Sequence, residues 1–226
     1  MKIGIIIAME SEYQRVSELI GGKNEGQLGE NYLILRHCGI GKVNAAIGAM
    51  SLIFEHHPDC IISTGVAGGI DARLKVMDVV VSSQLVYHDV WCGDGNEYGQ
   101  IQGLPGRFEG NKTLCVSALD LNEELKGEPT IHAGLICTGD QFITNREALD
   151  KIKGQFPEGL AVDMESCAIA HTCYQYDVPF VSFRIISDTP GATENHAAQW
   201  NDFWATLGDT SFKVLKKYLL NLPSQL

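Results

Sequence analysis

Residues 160–176 read LAVDMESCAIAHTCYQY. The opening LAVDM is a short apolar run, the pattern of a buried strand, and ESCAIAHTCYQY carries apolar residues at helical spacing. A strand therefore runs directly into a helix, and Asp163 and Glu165 fall at the junction. A carboxylate buried without a partner is costly, or it shifts its pKa and becomes neutral. In α/β sheets, however, ligands sit at the carboxyl ends of strands. The two acids stand where a ligand stands, not in the middle of a core.

The same alternation extends in both directions. IGIIIA (3–8), NYLILRHC (31–38), CIISTGVAGG (60–69), VMDVVVSSQLVYHD (76–89), IHAGLICTGD (131–140) and PFVSFRIISD (179–188) read as strands. The fourth of these is a long strand or a bent pair, and CIISTGVAGG reads as a strand ending in a glycine turn. Helical spacing marks SEYQRVSELI (11–20), KVNAAIGAMSLIFEHH (42–57), LCVSALDLNEELK (114–126) and NREALDKIKGQF (145–156), the last with Asn145 as its N-cap. An amphipathic helix is expected from Trp200 to Leu220, and residues 91–111 form a long Gly-rich loop. Strands alternating with helices predict an α/β fold on a mixed, mainly parallel sheet, with residues 1–226 as one domain.

Composition narrows the function. A net charge of -11 argues against a surface that tracks nucleic-acid phosphates. The seven cysteines are scattered, odd in number, without a CxxC pair, and often inside apolar runs, which fits free thiols in a reducing compartment. Glu10 and Glu12 directly follow the first apolar run, so it reads as a strand and not as a signal peptide. No apolar stretch is long enough to span a bilayer. The expectation is a cytoplasmic protein that binds neither nucleic acid nor membrane.

Several motifs admit two readings each. GIGKVNA (39–45) fails the P-loop and dinucleotide patterns and reads as a tight strand-to-helix turn that can still line a pocket. STGVAGG (63–69) is a plain glycine turn or a loop whose backbone approaches a ligand. In AMESE (8–12) the acids suit a helix N-terminus as well as a site. In RIISD (184–188), Arg184 needs a carboxylate partner, and Asp188 caps a turn or acts chemically. Trp200, Phe203 and Trp204 are core contacts of the last helix or an apolar pocket wall. No histidine, cysteine and acid spacing resembles a zinc site, and GxSxG is absent. Taken together, the motifs bring several acids and one arginine to the strand ends of a single sheet, an arrangement for stabilising a cation and moving protons.

AMESE, GIGKVNAA, STGVAGG, KVMDVVVSS, YHD, EYGQ, TGDQFI, AVDMESCAIAH and RIISD occur in this order from residue 8 to 188. This set resembles the methylthioadenosine/S-adenosylhomocysteine nucleosidases of the nucleoside phosphorylase superfamily. The resemblance implies a three-layer α/β/α sandwich with a central mixed sheet, usually homodimeric, without metal or organic cofactor. It implies hydrolysis of the bond between adenine and the ribose of 5′-thio-substituted adenosines. By similarity the catalytic set is Glu12, Asp188, Glu165 and Arg184. Asp188 would protonate adenine N7, Glu12 would activate water, and Glu165 would bind the ribose hydroxyls and face the developing cation. Arg184 would hold Glu12 ionised and oriented. Phe142 would stack on adenine and the Ile143 backbone would read its edge. Met164 would pack on the ribose and Ser187 would support Asp188. Met9, Ile40 and Trp200 would line the sugar and 5′ side, and Val66, Ala67 and Gly68 would lie against the substrate. Asp163 stands where many relatives have glutamate and is counted with the substrate-binding residues.

Departures from the family pattern bear on the nucleophile and the substrate. Superfamily phosphorylases use a hydroxyl near Val66 to hold phosphate, and valine cannot do so. No GDPxR-like segment precedes AMESE. Both features favour water over phosphate. The segments TPGATENHAAQWNDFW and WCGDGN diverge, so the 5′ group stays open among methylthioadenosine, adenosylhomocysteine, 5′-deoxyadenosine and an adenine-bearing menaquinone precursor. The competing readings are a phosphate-dependent nucleoside phosphorylase and a non-catalytic nucleoside-binding protein.

Overall fold

A computed structural model describes residues 1–126, 129–189, 203 and 210–226. The chain order is β1 (Lys2–Ile7), α1 (Glu10–Glu18), β2 (Glu25–Leu28), β3 (Asn31–His37), α2 (Lys42–His56), β4 (Cys60–Gly69), β5 (Val79–Tyr87) and β6 (Phe108–Glu109). There follow α3 (Lys112–Leu125), β7 (Ile131–Thr138), α4 (Arg146–Gln155), β8 (Gly159–Asp163), α5 (Ser166–Gln175), β9 (Phe180–Asp188) and α6 (Thr210–Leu220). The described strands form one nine-stranded mixed sheet.

Strand periodicity decides which helix covers which face. On β1, Ile3, Ile5 and Ile7 point into a core shared with Val16 of α1, Leu114 and Leu121 of α3, and Leu215 and Leu219 of α6. Ile6 points the other way, onto Leu52 of α2 and Ile169 of α5. Helices therefore cover both faces, giving the expected three layers. Truncating a fully buried side chain such as Leu52 to alanine costs about 2–5 kcal/mol. Tyr218 of α6 ties its layer to the sheet, stacking on Phe183 at 4.9 Å and donating to the Leu114 carbonyl at 3.1 Å. Asn111 and Asn145 cap α3 and α4, accepting from the amides of Leu114 and Ala148.

The sheet also curls back on itself. β4 pairs with β9 in parallel and, at its end, with β8 antiparallel. β8 pairs with β7, β7 with β5, and β5 antiparallel with β9. These five strands form a closed ring, filled by Leu74, Val80, Ile136, Leu160, Ala161 and Ile186. A bulge between Ala67 and Gly68 lets β4 change partners.

Two sequence expectations change. The short strand β2 was not anticipated; its alternation EGQL holds one buried residue, Leu28. The glycine-rich STGVAGG is not a turn but the second half of β4. Its glycines keep ladder pairing and give room to neighbouring side chains, as Gly65 shows below. The closing helix is described from Thr210, so the expectation for Trp200 lies outside the described residues. No helix among the described residues is long and apolar enough to cross a membrane.

Candidate active site

A cavity of about 370 Å³ opens over the carboxyl ends of the strands. β4 supplies Val66, Ala67 and Gly68, β8 supplies Val162 and Asp163, and β9 supplies Arg184, Ser187 and Asp188. Ala8, Met9 and Glu12 enter from the β1–α1 junction, and Met164 and Glu165 from the β8–α5 junction. Loops add Ile40, Gln141, Phe142 and Ile143. Every described residue of the site that the resemblance implied lines this cavity, Trp200 lying outside the described residues, while Phe203 belongs to the core instead. Ala8, Gln141 and Val162 were missed, although each adjoins or lies next but one to a residue that was named.

Glu12 sits in the first turn of α1 and is 2 % exposed. Its Oε2 accepts from the Met9 amide at 3.1 Å, closing a capping box. Its Oε1 accepts from the Val66 amide at 2.8 Å. Burial raises its pKa, against the opposing pull of the Arg184 charge and the two amides. Glu165 is the N-cap residue of α5, and its Oε1 accepts from the Gly41 amide at 3.0 Å. Its carboxyl is pushed up to about 7, chiefly by burial, although Arg184 stands 3.6 Å away. At that distance the attraction does not offset the loss of hydration.

Arg184 is the cation of the floor and is 1 % exposed. Its Nε lies 2.9 Å from Asp163 Oδ2 and donates to Ser166 Oγ at 3.1 Å. Its Nη2 donates to Ser63 Oγ at 3.0 Å. Asp163 in turn accepts from Thr138 Oγ1 at 2.5 Å, from the Ser166 amide and, closely, from the Ser166 hydroxyl. The sequence reading of Arg184 as the direct holder of Glu12 therefore changes. The guanidinium is ion-paired with Asp163 and Glu165, and Glu12 is held by backbone amides while feeling the Arg184 charge through space. Gly65 makes that approach feasible. At φ +144, a Cβ there would lie 2.7 Å from Glu12 Oε1 and 2.8 Å from Arg184 Nη1. Asp163 also changes role, because its oxygens are engaged by protein donors. The hydroxyls of Ser63, Thr138 and Ser166 were missed, yet each lies in or next to an apolar run, where a hydroxyl needs a partner.

At the far wall Ser187 Oγ lies 2.5 Å from Asp188 Oδ1 and 3.3 Å from the Ala67 carbonyl. A hydroxyl has one proton, and it goes to the Asp188 carboxyl, the nearer acceptor. Phe142 is 59 % exposed at the cavity mouth, while Ile143 is buried beneath it. Among the described residues no cluster of His, Cys, Asp and Glu is suited to hold a metal ion.

The phosphorylase superfamily profile matches residues 2–220. A 5′-methylthioadenosine/S-adenosylhomocysteine nucleosidase from Exiguobacterium sp. is 42 % identical, over 95 % of this chain and 96 % of that one. The chain belongs to the phosphorylase superfamily, among these nucleosidases. Two solved members of the same group fit closely. The nucleosidase of Colwellia psychrerythraea in complex with adenine superposes with a TM-score of 0.92 at 36 % identity, covering 100 % of this chain and 97 % of that one. The Neisseria meningitidis nucleosidase in complex with methylthio-immucillin-A gives 0.90 at 35 %, covering 98 % and 99 %. The superfamily's α/β architecture is thus the one built by these nine strands and the helices on both their faces.

Proposed function

We infer that this protein hydrolyses the N-glycosidic bond of 5′-thio-substituted adenosines, releasing adenine and the thioribose. The observation that carries the reading is the charge pattern of the cavity. Its described lining holds four carboxyl groups, on Glu12, Asp163, Glu165 and Asp188, against one guanidinium. Burial strips water from Glu12 and Glu165, and Asp163 engages the guanidinium most closely, so both ionise only at a cost, as their raised pKa values express. A cation formed in the cavity supplies the missing positive charge. The transition state of glycoside cleavage is such a cation.

The proton inventory closes. Asp188, oriented by the Ser187 hydroxyl, gives a proton to N7 as the bond from N9 to C1′ breaks. Glu165 faces the charge that develops at the sugar. Water adds to C1′, and Glu12 takes a proton from it, its raised pKa making it a stronger base than an ordinary carboxylate. Arg184 is a positioning group that keeps Asp163 and Glu165 in place. Phe142 stacks on the base, and Met9, Ile40 and Met164 enclose the sugar.

Phosphorolysis is disfavoured by the same geometry. Val66 offers no hydroxyl, and Arg184, the cation of the described lining, is already bound to carboxylates. Methylthioadenosine incubated with and without phosphate should yield adenine and unphosphorylated thioribose in both tubes. A sugar 1-phosphate formed only with phosphate would overturn the reading.

We also propose that the protein works as a homodimer. Val43, Ile47, Met50 and Phe54 recur at helical spacing along the outer side of α2 and are exposed, although its inner side is buried too. A helix apolar all round belongs inside a larger assembly. Ile47→Asp should convert a dimer into a monomer in light scattering; a wild-type monomer would refute the proposal.

A further inference from the structure

Three motifs remain without a role in the chemistry above: the lysine of GIGK (39–42), the aspartate of YHD (87–89) and the aspartate of TGD (138–140). The fold brings them together. Asp89 follows the end of β5, Lys42 opens α2, and Asp140 lies in the loop after β7. Lys42 Nζ donates to both carboxylate oxygens of Asp89, at 2.8 and 2.7 Å. The Asp140 amide donates to Asp89 Oδ2 at 2.9 Å. The Lys42 amide donates to Asp140 Oδ1 at 2.8 Å. Asp89 thus receives an ammonium and an amide from two different loops, with its side chain only 14 % exposed.

Each loop carries part of the cavity next to the clamp. In the turn before α2, the neighbouring Gly41 amide is a donor to Glu165. Gly41 has φ +96, and a Cβ there would lie 3.0 Å from Asp140 Oδ1, so the close seating of the two loops requires glycine. In the other loop, Asp140 precedes Gln141, Phe142 and Ile143 of the cavity wall. The two loops are otherwise built on different strands, β3 and β7, which are not neighbours in the sheet. A charge-assisted bond of this kind is stronger and more directional than a neutral one.

We propose that Asp89, with Lys42 and Asp140, is a positioning residue for the hydrolysis, a clamp that registers the Gly41 amide on Glu165 against the loop that grips the base. The proposal rests on the nucleosidase reading above and extends it to residues that do not touch substrate. Loosening the clamp acts on two things at once. The base-gripping loop loses its register, which weakens adenine binding. The Gly41 amide leaves Glu165, whose other charged neighbours are Arg184 of β9, Asp163 of β8 and Glu12 of α1, with the neutral Cys38 thiol after β3 close by. That amide favours the ionised carboxylate, so its loss makes Glu165 harder to ionise.

The test uses Asp89→Asn, which keeps the side-chain size and removes the charge, and Lys42→Met, which keeps the backbone bond to Asp140. For each, kcat, KM for methylthioadenosine, the pH profile of kcat/KM and the affinity for adenine are measured. The expected result is a rise of about tenfold in KM and in adenine Kd, with the acid limb of the profile moved to higher pH. Lys42→Arg should restore most of the loss, and the double variant should be no worse than the worse single one. Wild-type KM, adenine Kd and acid limb in both variants would overturn the proposal, whether or not their melting temperatures fall. If Asp89→Asn does not fold, the Lys42 pair decides alone. Failure of the wild type to release adenine from methylthioadenosine would strike the nucleosidase reading, while adenine affinity would still test the clamp.

Discussion

The floor and the rim of the cavity are made of different material. The floor is strand ends: Arg184 and Asp163 are buried, and their polar atoms are met by hydroxyls and amides from β4, β7 and the start of α5. The rim is loop: Ile40 and Phe142 are more than half exposed, and their loops are joined by the Lys42 clamp. Floor residues cannot move without leaving a buried charge unpaired, whereas rim residues can yield to admit a substrate. Groups that handle protons and charge need fixed geometry, and groups that grip need only be close. The division predicts that floor variants lose rate or stability and rim variants lose affinity.

The sharpest break of that comparison is at the proposed proton donor and water base. Asp188→Asn and Glu12→Gln should each lower kcat by about 10³-fold while binding of a substrate analogue persists. A variant that loses binding and keeps kcat would erase the distinction. Next comes Arg184→Met, which strands the Asp163 and Glu165 carboxylates in the interior. It should cost about 3–5 kcal/mol in denaturant unfolding. A cost under about 1 kcal/mol, the scale of a surface pair, would show that the floor is not an interlocked network. On the rim, Phe142→Ala should raise KM about tenfold through lost stacking, with little change in melting temperature.

The smallest effect is a pH dependence, and its sign is fixed. Glu165 titrates near 4.5 when unfolded and at about 7 when folded. The folded protein therefore holds its proton more tightly, and stability is lost as pH rises through that window. The difference in melting temperature between wild type and Glu165→Gln should shift against the wild type from about pH 5 to about pH 8. Activity runs the opposite way, since Glu165 faces the cation as an anion. A kcat/KM profile with no acid limb in this window would contradict the assigned role.

Much of this was legible in the sequence because strand ends are marked by chemistry. Apolar runs that terminate in acids, as in AVDMES and RIISD, announce both the strand and the site. Three things were not legible. The second pairing of β4, with β8 past a bulge at Ala67 and Gly68, is signalled by no local pattern. The fork of Arg184 could face any of several acids, and only the register that sets Thr138 beside Asp163 gives Asp163 its fixed seat next to that fork. The clamp joins residues 42, 89 and 140, which spacing alone cannot bring together.

The strand ring has a consequence for the order of assembly. β9 is the last strand among the described residues, and it inserts between β4 and β5, pairing Ile185 with Val66 and with Val79. Contacts between segments so far apart in sequence form late and slowly. A growing chain that has not yet reached residue 180 holds Glu12 and Asp163 with neither the arginine beside them nor the acid proposed to protonate the base. Binding competence then arrives in one step, with the strand that closes the ring, so a half-made chain has no pocket in which to trap a nucleoside.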